Sequence, residues 1–279
     1  MHNVDMPRYA PPADSLDRTA LDRAASRMDA ATRSDSPRAA LTAARALGGP
    51  HGAPNFVALA ASRRASRVVR ELLAHGWPAE ALANNGQNAL WHAIASPAGS
   101  PRAGSLAREL LQAGADPFFI GPVGSVFGEA ASAGDTDLIE LMLAARDSRS
   151  HGDVQRALSQ GLWEASGVDC PHALAGCAAL ARAGADWAYE PKESHWFHDP
   201  ENPGLRFNCA QHAAFTGSLD ALADPAALAA LSTRHPPRKG RGPWTGWREL
   251  VPPSRLPLVE RWILLGESPP AMPASRVRL

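Results

Sequence analysis

Seven side chains between positions 170 and 212 carry groups well suited to chemistry: Cys170, His172, Cys177, His195, His198, Cys209 and His212. Thiolate and imidazole are preferred zinc ligands, and four of them converging in a tetrahedron make a structural site. Cys209-x-x-His212 has the spacing of one helical turn, and His195-x-x-His198 repeats that spacing nearby. None of these intervals is that of a zinc finger, and an odd set of three cysteines is not a disulfide framework. A thiol beside a base is also the start of nucleophilic catalysis, and Cys170-Pro171-His172 places both groups close in sequence. No oxyanion-hole loop or strand–turn–helix elbow accompanies them. Gly-Ser pairs at Gly99, Gly104 and Gly124 are turn chemistry, and no phosphate-binding loop occurs. The expectation is therefore a protein that is not an enzyme and needs no cofactor. A zinc-stabilised module built on residues 170–212, or a cysteine-dependent enzyme using Cys170 or Cys209, are the alternatives.

The elements that would position such residues follow from composition and pattern. Alanine is abundant and aromatics make up only 6% of the 279 residues, so the core must be thin, with backbones close together. That favours helices over a β-sandwich, whose faces need bulky branched residues. Formal net charge is zero, which removes the electrostatic footprint of a nucleic-acid binder. The short basic run Arg234–Arg241 reads as a solvated linker. No run is long and apolar enough for a membrane helix and no signal core opens the chain, so a cytoplasmic monomer is expected. An unstructured N-terminal arm would also suit secretion into a host cell. The arginine and alanine excess points to a GC-rich, bacterial source.

Repetition organises the middle of the chain. LLQAGADPFF at Leu110–Phe119 is nearly repeated by LARAGADW at Leu180–Trp187. Upstream of such joints lie NFVALAA from Asn55, NALWHAI from Asn88, SVFGEAA from Ser125, QGLWEAS from Gln160 and NCAQHAA from Asn208. Asn55 and Asn88 are 33 residues apart. Paired apolar residues at helical spacing, as in Val68, Val69, Leu72 and Leu73, mark one buried stripe per second helix. Leu106, Ala107, Leu110 and Leu111, then Leu138, Ile139, Met142 and Leu143, repeat it. Gly76, Gly114, Gly184 and Gly266 each follow a stripe, where glycine ends a helix in the left-handed conformation. One such unit cannot bury its face, so neighbours must stack.

This pattern resembles the ankyrin repeat, whose unit is written around T-P-L-H-x-A-A, a glycine, a V-V-x-x-L-L helix and G-A-D. The resemblance covers roughly residues 52–222, with a half-unit at Leu258–Pro269, although the T-P-L-H tetrad is nowhere intact. It implies an all-α, ankyrin-repeat-like helical solenoid of about five units, with short hairpin loops and one long inserted loop. The expected division is residues 1–50 as a partly disordered arm and one capping helix, 51–235 as the repeat domain, and 236–279 as linker and capping half-repeat. An insert is expected at Pro97–Gly104, and Asp224-Pro225 is expected to interrupt the second helix of the fifth unit.

The resemblance also implies non-catalytic binding of another protein, as in a bacterial effector or a regulatory or immunity adaptor. In ankyrin arrays hairpin tips and the exposed side of the first helices form the contact surface. The matching positions are Arg63, Asn84, Asn85, Gln87, Ser96 and Phe215, with Phe118 and Phe119 beside them. The segment Trp187–Phe207 is long for a repeat joint and gathers Trp187, Tyr189, Trp196, Phe197 and Phe207. Exposed aromatics of this kind are typical contact anchors.

Overall fold

A core made of alanine, with one leucine or valine stripe per helix, can only be buried by pairing helices at short range, and the computed structural model does this throughout. It describes residues 18–52, 55–95, 101–168, 170–191, 207–216, 218–231, 248, 251 and 253–264. The helices in order are α1 (Arg18–Arg33), α2 (Pro37–Ala46), α3 (Gly49–Gly52), α4 (Phe56–Ser62), α5 (Ser66–Ala74), α6 (Ala89–Ile94) and α7 (Pro101–Gln112). They continue with α8 (Val126–Ala133), α9 (Thr136–Leu143), α10 (His151–Ser166), α11 (Pro171–Arg182), α12 (Cys209–Thr216), α13 (Pro225–Leu231) and α14 (Leu256–Leu264). Among the described residues no strand forms. The isolated bridges Leu82–Asn88 and Ile120–Ser125 close two hairpins between helices. The chain packs as two units, Met1–Ala93 with Ser105–Ala115, and Ile94–Gly104 with Asp116–Leu279.

In the first unit α1 packs on α2, α2 on α5, and α4 on α5. Two helices stand where the sequence suggests an arm and a single capping helix. Met28, Ala31, Ala40, Leu41 and Ala44 are buried, so small side chains let α1 and α2 approach closely enough to share a core. The Asp35 carboxylate accepts from the Val68 backbone N–H at 3.0 Å, fixing the start of α5. Val68, Val69 and Leu72 fill the stripe the sequence marks.

In the second unit α8 packs on α9, α10 and α11, and α10 also contacts α11 and α12. The contact of α8 with α11 is backbone on backbone. A Cβ on Gly176 would lie 2.1 Å from the Ala131 carbonyl oxygen, so no other residue fits there. Local caps define the ends: the Ser125 side chain accepts from the Gly128 N–H at 2.9 Å, and that of Asp135 from the Leu138 N–H at 3.0 Å.

Two boundaries differ from the pattern read in the sequence. Residues 101–104, expected in an insert, form the first turn of α7, with Pro101 at its first position. The expected break at Asp224-Pro225 is present: the second helix of the fifth unit is a 3-10 turn, Leu219–Ala223, followed by α13 starting at Pro225. Most consequential is α10, which runs 16 residues where α4, α6, α8 and α12 have 7, 6, 8 and 8. The repeat motif covers only its last two turns.

Candidate functional site

The additional turns of α10 begin at a strong cap. Ser150 Oγ accepts from the Asp153 N–H at 3.2 Å and donates to the Asp153 carboxylate at 2.7 Å. This reciprocal arrangement satisfies an otherwise orphaned donor and starts the helix early. From there Asp153, Arg156, Gln160 and Glu164 recur at helical spacing and make one polar stripe, with Arg149 in extended backbone just ahead of the cap. Arg149, Asp153 and Arg156 are exposed, whereas Gln160 and Glu164 are half-buried.

α10 and Arg149, just ahead of its cap, hold one joint each. On one, Arg149 Nη2 pairs with the Asp116 carboxylate at 2.7 Å. A cavity of about 280 Å³ opens there, lined by Phe119, Ile120, Arg149, Asp153 and Arg156 among others. On the other, Gln155 Nε2 donates to the Gly184 carbonyl at 2.6 Å, and the Asp186 N–H donates to the buried Ser159 hydroxyl at 2.9 Å. Tyr189 donates its hydroxyl proton to Gln160 Oε1 at 3.1 Å, which brings its ring beside the stripe.

At the C-terminal end of the stripe Glu164 is bonded across to α8, and its charge is felt by Glu129 there. Glu164 accepts from Gln160 Nε2 at 2.8 Å, from the Ser125 hydroxyl at 2.8 Å and from the Ser125 N–H at 2.9 Å. It occupies the space a side chain at position 128 would need, since a Cβ on Gly128 would lie 1.8 Å from Glu164 Oε2. In the repeat alignment Gly128 stands at the histidine position of the T-P-L-H tetrad. A carboxyl reaching across from the next unit therefore fills the gap that the degenerate motif leaves. Burial raises the pKa of Glu164, and the three hydrogen bonds only partly oppose this. Burial, and then the charge of Glu164, push Glu129 up to about 7.

The positions nominated from the sequence divide clearly. Phe119 and Tyr189 lie half-exposed beside α10, and Phe215, Asn84 and Asn85 are exposed. Asn84 Oδ1 accepts from Asn55 Nδ2 at 3.2 Å, and Asn85 Oδ1 accepts from the Gln87 N–H at 3.2 Å, so both order the 82–88 hairpin. Gln87, Phe118, Trp187 and Phe207 are buried and are corrected here from contact residues to packing residues. Phe118 packs against Phe127 with ring centroids 5.5 Å apart, and the Trp187 indole donates to Asp224 Oδ2 at 3.1 Å. Phe207 tilts against Phe215 at 5.2 Å. Arg63 is likewise committed, donating to Thr32 Oγ1 at 2.7 Å and to the Asp29 carbonyl at 3.0 Å while pairing with the Asp29 carboxylate. Ser96, Trp196 and Phe197 lie outside the described residues. The sequence reading missed Arg149, Arg156, Gln160 and Glu164. Their signal was available: Ser150, three residues before Asp153, is a helix start ahead of the motif.

The cysteines and histidines have separate duties. Cys170 caps α11, its sulfur accepting from the Ala173 N–H at 3.3 Å. Cys177 is buried, and desolvation, helped by Cys170, pushes its thiol up to about 12. Cys209 is buried against the Asp186 carbonyl at 3.5 Å, and burial raises its pKa well above the ordinary thiol value. His212 stacks on Trp163 at 4.2 Å and bonds the Trp163 carbonyl through Nδ1 at 2.9 Å, and burial lowers its pKa. A protonated, buried thiol is inert both as nucleophile and as metal ligand. Among the described residues no three His, Cys, Asp or Glu side chains converge on a metal position. His195 and His198 lie outside the described residues.

No family model and no curated protein matches the chain. Among solved structures, the ankyrin repeat domain of human ASB11 superposes with a TM-score of 0.54 at 19% sequence identity, covering 88% of this chain and 99% of that one. The likeness shows the fold, an all-α ankyrin-repeat solenoid. No described helix is long and apolar enough to cross a membrane.

Proposed function

We propose that the chain is a non-catalytic protein-binding module that holds its partner on the exposed stripe of α10, between the 116–120 and 186–190 joints. The observation that carries this reading is the lengthened α10. The 186–190 joint is bonded to α10 itself and the 116–120 joint to Arg149 just ahead of its cap, while Phe119, Arg156, Tyr189 and Glu129 keep exposed surface. Rigidly held aromatic and arginine side chains are the usual anchors of protein interfaces, because little side-chain entropy remains to be lost. Burial of Cys209, which raises its thiol well above the ordinary value, and the use of the Cys170 sulfur as a helix cap speak for binding over cysteine catalysis. The ankyrin-type fold also supports a protein partner. An effector or adaptor role as a cytoplasmic monomer fits this reading.

The test compares capture of a partner by the full chain and by a Phe119→Ala, Arg156→Ala, Tyr189→Ala triple variant. Arg45→Ala, on exposed surface of α2, serves as control. Loss of at least tenfold in affinity for the triple variant alone is expected. Equal capture by both variants would place the contact surface elsewhere.

A further inference from the structure

Charge is distributed unevenly along the chain, although its net value is zero. Residues 18–93 carry ten arginines against five acidic residues, and residues 116–191 carry four against eleven. In the first unit the excess borders a groove. About 500 Å³ opens between α1 and α2, lined by Arg27, Ala30, Ala31, Arg38, Ala39 and Ala43 among others, with no acidic residue in the lining. Ala31 and Ala43 make a buried floor, and Ala30 and Ala39 are exposed. Neighbouring carboxylates are engaged elsewhere: Asp29 pairs with Arg33 and Arg63, and Asp35 accepts from the Val68 N–H at 3.0 Å. Arg27 and Arg38 form no ion pair among the described residues. In the second unit the outer face of α9 is the converse. Asp137, Glu140, Leu141 and Ala144 are all exposed and recur at i, i+3, i+4 and i+7, so they share one stripe. Leu141 is 38% exposed, while the opposite side of α9 packs on α8 and α11. Asp137 and Glu140 form no ion pair among the described residues.

We infer that the α1–α2 groove of one copy takes the α9 stripe of a second copy, with Leu141 against the alanines and Asp137 and Glu140 on Arg27 and Arg38. Four alanines leave the depth that a leucine fills, and the contact removes apolar surface of both copies from water. Opposite charges meet at the rim. Groove on groove, or α9 on α9, would set like charges together and is rejected. The contact is therefore head to tail, and the outer copies of any assembly each keep one surface free. Being small and charged it is weak and salt-sensitive, so the single chain is the dilute form.

Sedimentation equilibrium of the full chain, over a hundredfold range of concentration in low and high salt, tests this contact. The average mass of wild type should rise above that of one chain with concentration and fall back in high salt. The pair Arg27→Glu, Arg38→Glu and the pair Asp137→Lys, Glu140→Lys should each weaken association at least tenfold, and an equal mixture of the two should restore it. Leu141→Ser should weaken it as much. Chemical denaturation confirms that each variant is folded. Should a reversed pair not fold, Arg38→Ala or Glu140→Ala takes its place, with association at least threefold weaker expected. A wild type that stays a single chain throughout overturns the inference, another occupant then holding the groove. Variants that associate as wild type, or a mixture of reversed pairs that stays apart, overturn it too. The contact does not rest on the α10 face, so the Phe119→Ala, Arg156→Ala, Tyr189→Ala variant should associate as wild type. Loss of association in that variant would move the contact to α10 and overturn the groove assignment.

Discussion

The joints at 116–120 and 186–190 begin with the same words and are held by different chemistry. Each follows a glycine in the left-handed region, Gly114 at φ 90° and Gly184 at φ 102°. The next N–H returns to the helix, Ala115 to the Leu110 carbonyl at 2.9 Å and Ala185 to that of Leu180 at 3.0 Å. The aspartate then accepts from the N–H two residues on, Asp116 from Phe118 at 3.0 Å and Asp186 from Ala188 at 2.8 Å. Beyond this shared backbone device they part. The first is held by Phe118 against Phe127 and by the surface pair Asp116–Arg149. The second is held by polar bonds, from Trp187 to Asp224 and from the Asp186 N–H to Ser159. The repeated letters set where the chain turns, and the residues just after them set what holds the turn in place.

That contrast can be broken by substitution. Trp187→Ala and Phe118→Ala each remove a buried aromatic and should cost about 3–5 kcal/mol in urea unfolding. Trp187→Phe should cost about 1–3 kcal/mol, from the smaller ring and the lost indole N–H together, and the part due to the N–H should vanish in an Asp224→Ala background. A Phe118→Ala variant that unfolds at the same urea concentration as wild type would deny the apolar half of the comparison.

Ser159→Ala comes next, at about 1–3 kcal/mol, because it leaves the Asp186 N–H without its partner in a part-buried site. Between the joints, Glu129 gives a pH signature. Its folded-state pKa of about 7 lies above the ordinary carboxyl value of 4.5, so the folded state holds the proton more tightly. The resulting stabilisation is fully present below about 4.5 and is lost as pH rises through about 7. Solvent screening of a half-exposed carboxyl limits it to roughly 1–2 kcal/mol. Glu129→Gln should flatten unfolding stability between pH 5 and 8 relative to wild type. A parallel decline in both proteins would assign the effect elsewhere. Smallest is Arg149→Ala, which removes an exposed ion pair and should cost less than about 1 kcal/mol, an effect that shrinks in high salt.

Much of the fold was legible because helix stripes and glycine stops are local signals. Val68, Val69 and Leu72, or Leu138, Ile139 and Met142, are buried as their spacing requires. The site was less legible. Aromatic residue type alone suggested surface anchors at Phe118, Trp187 and Phe207, yet each fills the core beneath its joint. Whether a loop aromatic turns inward depends on what lies under it, such as Phe127 or Asp224, and one-dimensional spacing carries no such information. Glu164 was overlooked for a related reason. Its partner Ser125 is 39 residues away, and only the missing side chain of Gly128 lets the two meet.

Hydrogen exchange of the full chain, free and saturated with a captured protein partner, tests the central claim most directly. Slowed exchange concentrated in 116–120, 149–164 and 186–190, with α5 and α9 unchanged, is the predicted result. Protection that leaves these three segments untouched and appears on α5 or α9 would contradict the assignment of the α10 face as the contact surface.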